Sequence, residues 1–222
     1  VPDPIKPRVK ICGLMTPADL AAAVSGGAAY VGFVCFPPSP RNVSVEAAAA
    51  LAAQVPPGVC KVVLTVDPDD ASLDAITASV PVDMIQLHGK ESPARVREVR
   101  ARTGLPVMKA VGIADRGDLA QVQTYGAVAD QLLVDAKPPR DAVIPGGNGL
   151  AFDWTLLSGL RFPVPWMLAG GLTAENVAEA LRLTGARQVD VSSGVERAKG
   201  VKDPELIAGF LRAAMAGQAP RL

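Results

Sequence analysis

The chain has 222 residues, 49% of them hydrophobic, enough for one large α/β core and too apolar for intrinsic disorder. Lysine plus arginine and aspartate plus glutamate each total 22, with no basic or acidic run, so the overall field attracts neither nucleic acid nor a membrane surface. The longest apolar stretches, such as Ala47 to Ala53, fall far short of a membrane span, and a soluble protein is expected.

Taken in chain order, the first residues carry Pro2, Pro4 and Pro7 and lack the apolar core of a signal peptide, so cytoplasm is the expected location. Short β-rich apolar runs then alternate with longer Ala/Leu-rich segments. Strands are predicted near Arg8–Cys12, Tyr30–Val34, Cys60–Thr65, Met84–Leu87, Val107–Val111, Gln131–Val134, Val164–Ala169 and Gln188–Val191, each followed by a helix. Capping residues or early prolines mark helix starts at Thr16-Pro17, at Ser44 with Glu46, at Ser92-Pro93 and at Thr173 with Asn176. Eight βα units predict a single (β/α)8 TIM barrel of the α/β class, one domain over residues 1–222. An open doubly wound sheet ranks second, because Ile11-Cys12-Gly13-Leu14-Met15-Thr16 stands where its glycine fingerprint belongs. One long connection, Ala136 to Ala151, is rich in proline and glycine and carries Lys137, Arg140 and Asp141.

In a parallel barrel the loops after the strands share one face, so polar residues at strand ends converge on one pocket. Gly170 and Gly171 after strand seven, with Ser192, Ser193 and Gly194 after strand eight, match the paired loops that hold phosphate in many barrels; the plainer reading is tight turns. Asp135 follows Leu132-Leu133-Val134, and a carboxylate at the tip of a buried strand is costly unless paired or used. Of three widely spaced cysteines, taken as free thiols, only Cys12 ends a strand; Cys35 falls near the end of strand two and Cys60 starts strand three. His88, the only histidine, excludes a two-histidine zinc site, so no metal is expected, and it reads as a pocket or structural residue beside Gln86. Arg41 offers a planar fork for a carboxylate, although exposed loop arginines are common. Asp190 completes the strand-end set.

These motifs resemble the phosphoribosylanthranilate isomerase family over nearly the whole chain. They are Lys10-Ile11-Cys12-Gly13, Ser39-Pro40-Arg41, Gln86-Leu87-His88-Gly89, Asp135, Phe152-Asp153-Trp154 opening the next helix, Leu168 to Leu172, Asp190 to Glu196, and Lys202-Asp203. The resemblance implies the third step from chorismate to tryptophan, an Amadori-type isomerisation of a phosphorylated substrate without a cofactor. Asp135 is then the general acid, Cys12 the general base, Arg41 faces the anthranilate, and Asp190 holds a sugar hydroxyl. Amides near Gly171, Ser193 and Gly194 take the phosphate. An unperturbed thiol titrates near pH ~8.5, so Cys12 is expected to draw help from nearby amides. A monomer is expected.

Two departures from the family pattern are Gly146-Gly147-Asn148-Gly149, where threonine is usual in third place, and Leu64-Thr65-Val66-Asp67, where phenylalanine, valine and asparagine are usual. Other phosphosugar barrels compete: the histidine-pathway isomerase uses aspartate where Cys12 stands, and indole-glycerol-phosphate synthase relies on strand-end lysines, for which Lys10 is on the right side of strand one. A non-catalytic phosphoribosyl sensor needs neither Cys12 nor Asp135.

Overall fold

A computed structural model describes residues 6–137, 146, 147, 149 and 152–217. Eight parallel strands close into a barrel in sequence order: β1 (Arg8–Cys12), β2 (Tyr30–Val34), β3 (Cys60–Thr65), β4 (Met84–Leu87), β5 (Val107–Ile113), β6 (Gln131–Ala136), β7 (Trp166–Leu168) and β8 (Gln188–Val191). The ring is shut by β1 pairing with β8, with Lys10 opposite Asp190. Around it lie α1 (Pro17–Ser25), α2 (Val45–Ala52), α3 (Asp70–Ser79), α4 (Pro93–Thr103), α5 (Ala120–Gly126), α6 (Val177–Thr184) and α7 (Pro204–Ala216). A small hairpin, β9 (Glu196–Ala198) with β10 (Val201–Lys202), follows β8.

Side chains alternate along each strand, so one set fills the barrel and the other packs under the helices. Val9, Ile11, Val31 and Phe33 face outward into the large helix-covered core. Tyr30, Val62, Met84, Met108, Leu133, Met167 and Ala169 form the interior plug, and Cys12, Val34 and Leu64 a smaller apolar layer. The same alternation turns Lys10, Gln86, Asp135 and Asp190 inward, since each lies in register with or two residues from an interior side chain.

Three helix starts are as the sequence predicts: Thr16, Ser44 and Ser92 each accept a hydrogen bond at 3.2 Å from the third backbone N–H beyond. Elsewhere the structure departs from expectation. Strands β5 and β6 run two residues further, whereas β7 is only three residues long, because Pro163 and Pro165 have no N–H to give a ladder. Helix α6 begins at Val177 rather than near Thr173, since Asn176 braces the preceding turn, accepting from Thr173 N at 2.8 Å and donating to Gly171 O at 2.9 Å. Phe152-Asp153-Trp154 leads into a 3-10 helix, Trp154–Leu157, capped by Asp153, and no α-helix stands between β6 and β7 among the described residues. Arg140, Asp141 and Asn148 of the long connection lie outside the described residues.

Candidate active site

Two adjoining recesses of about 440 and 470 Å³ open at the carboxyl ends of the strands and share Asp135, Gly146, Gly147, Asp190 and Ser192. One is built of backbone and small side chains: Gly170, Gly171 and Leu172 after β7 face Ser193 and Gly194 after β8. The loops touch so closely that a Cβ on Gly194 would occupy the Leu172 carbonyl oxygen. The other recess is apolar, walled by Val34, Phe36, Leu64 and Val66, with Cys12, Arg41 and His88 among its polar members. Such a cleft suits a ligand with an anionic end and a flat hydrophobic end.

Every site residue expected from the sequence lines one or both recesses except Gln86, which is fully buried beneath His88 with Nε2 2.9 Å from His88 Nδ1. His88 Nε2 in turn lies 3.3 Å from Asp135 Oδ2. Asp135 Oδ1 accepts from Ala136 N at 2.8 Å, so one carboxylate oxygen is anchored to the backbone and the other faces His88. The loop carrying His88 is pinned from below: Lys109 Nζ donates to Gly89 O at 2.8 Å and to Glu91 Oε2 at 2.7 Å, while Glu91 Oε1 accepts from the N–H groups of Asp67 and Gly89. Asp67, one of the departures, adopts a left-handed φ of 45° and accepts from Lys90 N at 2.7 Å, tying the β3 and β4 loops together. Leu64 and Val66, from the same stretch, complete the apolar wall.

Around Cys12 stand two ammonium groups, Lys10 and Lys202, and the carboxylate of Asp190. Lys10 Nζ is 2.9 Å from Asp190 Oδ1, both on the inward face. Lys202 Nζ donates to Ser192 O at 2.9 Å and Ser192 Oγ at 3.1 Å, and Ser192 Oγ donates to Cys12 O at 3.1 Å. Burial pushes the Cys12 thiol above its ordinary value, and Lys10 and Lys202 oppose that push without cancelling it. Arg41 presents its fork to Glu196, Nε to Oε1 at 2.7 Å and Nη2 to Oε2 at 3.0 Å, and also donates to Gly147 O at 3.2 Å. Far from exposed, Arg41 is thus pinned at the rim of the apolar recess.

The chain matches the sequence profile described as N-(5'-phosphoribosyl)anthranilate (PRA) isomerase over residues 9–213. It belongs to the phosphoribosylanthranilate isomerase family. Within this family, the N-(5'-phosphoribosyl)anthranilate isomerase of Paracoccus denitrificans is 68% identical over 208 residues, 94% of this chain and 97% of the relative. The crystal structure of phosphoribosyl anthranilate isomerase from Thermotoga maritima has a TM-score of 0.85 at 34% identity, covering 94% of this chain and 98% of that one. A phosphoribosyl anthranilate isomerase in complex with reduced 1-(o-carboxyphenylamino)-1-deoxyribulose 5-phosphate has a TM-score of 0.82 at 33% identity, with the same coverage. As a member of the phosphoribosylanthranilate isomerase family, the chain is an isomerase, and its barrel is the family's fold.

Glu196 and Lys202 stand in the sequence motifs without a role, and Lys10 has one only in the competing synthase reading. A usable signal was present for Lys10: a lysine two residues before Cys12 in an otherwise apolar strand must point into the barrel, where a charge requires a partner. Glu196 gave no such signal, since its partner Arg41 lies 155 residues away.

Hydrogen bonds from Arg41, with the charge of Lys202, hold the Glu196 carboxyl below its ordinary value although burial alone would raise it. Its contribution to stability is therefore complete above the unfolded value, near 4.5, and is lost as pH falls through the lower folded value. In denaturant titrations from pH 7 to 3, the stability gap between the parent and Glu196→Gln is expected to close as the pH falls below that value. A gap that stays constant to pH 3 would show that the carboxylate charge adds nothing.

Proposed function

We propose that this member of the family isomerises N-(5-phosphoribosyl)anthranilate to 1-(2-carboxyphenylamino)-1-deoxyribulose 5-phosphate in tryptophan biosynthesis, with Asp135 as general acid and Cys12 as general base. The observation that carries the reading is that these two groups, at the ends of β6 and β1, line one recess with an apolar wall, adjoining a glycine-built pocket. Asp135 donates a proton to the furanose oxygen as the bond from carbon 1 to that oxygen breaks and the anthranilate nitrogen forms the Schiff base. Cys12 then removes the proton from carbon 2, leaving an enolamine that tautomerises to the ketone. No electron leaves the substrate, so the scheme calls for no cofactor and no metal.

The anthranilate ring rests against Val34, Phe36, Leu64 and Val66, with its carboxylate toward Arg41. Asp190 receives a sugar hydroxyl, and His88, backed by Gln86, holds the free oxygen of Asp135. The phosphate is held by backbone amides of Gly170, Gly171, Ser192, Ser193 and Gly194, where the short 3-10 turn Ser193–Val195 begins. A lysine-based synthase reaction is disfavoured because Lys10, Lys109 and Lys202 are each tied to a carboxylate, at 2.9, 2.7 and 2.8 Å.

The chain acts as one domain and as a monomer in the cytoplasm. Val201 and Leu206 are the only large hydrophobic side chains exposed among the described residues, which supports a surface without a large apolar patch. Cys12, Cys35 and Cys60 are free thiols, in keeping with a reducing compartment. No described helix is long and apolar enough to cross a membrane. Light scattering at a mass near 22.9 kDa checks the monomer.

The deciding experiment follows anthranilate-type fluorescence after N-(5-phosphoribosyl)anthranilate is generated in place with the purified chain. Rapid loss of fluorescence is expected. No loss, with retained binding of a phosphorylated product analogue, would replace the reading with that of a ligand sensor.

A further inference from the structure

Lys10 has no part in the scheme above, yet it is completely buried and shares the inward face of β1 with Cys12. Its ammonium is 2.9 Å from Asp190 Oδ1, its register partner on β8. On the other side, β2 sets Gly32 opposite Cys12. A Cβ at Gly32 would lie 3.1 Å from Cys12 Sγ and 3.2 Å from Lys10 Cε. Both side chains therefore lean over the same bare stretch of backbone, and the missing side chain at Gly32 is what lets the lysine stem and the sulfur approach. A thiol in an apolar recess stays protonated unless a cation faces it, and a buried ammonium stays charged only when an anion holds it.

We propose that Lys10 is the positioning residue for the base: fixed by Asp190 and brought beside Cys12 across Gly32, its ammonium is the charge against which the Cys12 thiolate forms. This rests on the assignment of Cys12 as base. Burial alone would lower the Lys10 ammonium, but the Asp190 carboxylate and then Cys12 outweigh it and hold the lysine protonated. After burial, Lys10 is the strongest influence on the Cys12 thiol; Asp190 acts in the opposite sense to Lys10 and Lys202 in the same sense. The remaining charged groups bordering this recess are Arg41, tied to Glu196, and His88 and Asp135 on its other wall, while β2 presents no titratable group at Gly32.

The test measures the ultraviolet absorbance of the Cys12 thiolate against pH, without substrate, in a Cys35→Ser/Cys60→Ser background, because those two thiols, which burial pushes up to about 11, add absorbance of their own. Lys10→Met is expected to raise the midpoint by about one pH unit or more, a tenfold loss of thiolate at fixed pH. Lys10→Arg, which keeps a positive charge on the same face of β1, is expected to hold the midpoint near the parent's. A structural role alone would shift Lys10→Arg along with Lys10→Met or shift neither, and either result overturns the proposal.

Lys10→Met leaves a buried carboxylate unpaired, a serious burden on folding. The Lys10→Met/Asp190→Asn chain removes both charges together, and its midpoint is also expected to rise, because the cation that meets Cys12 over Gly32 has gone; an unchanged midpoint there is equally fatal. Because no turnover is involved, the two ideas fail separately. A shifted titration in a protein whose Cys12→Ser variant remains active would remove Cys12 as base and leave Lys10's influence standing, whereas an unshifted one in a protein that needs Cys12 would do the reverse.

Discussion

Asp135→Asn is expected to lower kcat by about 10²- to 10⁴-fold, the usual worth of a positioned general acid, with little change in affinity for a product analogue. Asparagine is nearly isosteric, and its carbonyl oxygen can still accept from Ala136 N, the contact that anchors Oδ1 at 2.8 Å. What it cannot do is release a proton to the ring oxygen. Single-turnover fluorescence, paired with titration of the analogue, separates the two effects. Near-normal turnover in a folded Asp135→Asn protein would end the assignment of the acid.

Cys12→Ser should cost a similar factor, about 10²- to 10⁴-fold in kcat, for a different reason. The hydroxyl fits where the thiol sat, among Val34 and Leu64, and the fold is expected to persist with an unchanged far-ultraviolet spectrum. A serine hydroxyl, however, remains protonated even beside Lys10, so no base of useful strength faces carbon 2. Retention of the carbon 2 hydrogen during incubation with substrate, read by exchange in deuterated water, identifies the lost step. Rapid turnover by Cys12→Ser would mean that another group takes this proton.

The barrel was legible because its signal is local. Each of β1 to β4 and β8 begins and ends where the apolar run does, since a strand buried on both faces leaves little room for polar residues until it reaches a rim. That rule also delivered Cys12, Asp135 and Asp190, polar residues at the far end of such runs. It failed at β7, where Val164 looked like strand but sits between two prolines, and after β6, where the described residues hold a 3-10 turn in place of the expected helix. Pairing was the hidden part. Arg41 reads as an exposed fork until the β9–β10 hairpin brings Glu196 to it, and Gln86 reads as a ligand-facing amide until His88 is found standing over it. These relations depend on register and hairpin placement between segments far apart in sequence, which one sequence does not record.

The contact between Lys10 and Asp190 spans 180 residues, and it joins the first strand of the ring to the last. During synthesis, β1 leaves the ribosome long before its partner exists. Until β8 arrives, a chain that tries to bury Lys10 must bury a bare charge, so premature collapse of a seven-strand intermediate is penalised at this point. The ion pair on the inward face beside Cys12 thus doubles as a latch on ring closure. A product truncated before β8 lacks it, and with it the charge that Asp190 sets beside Lys10.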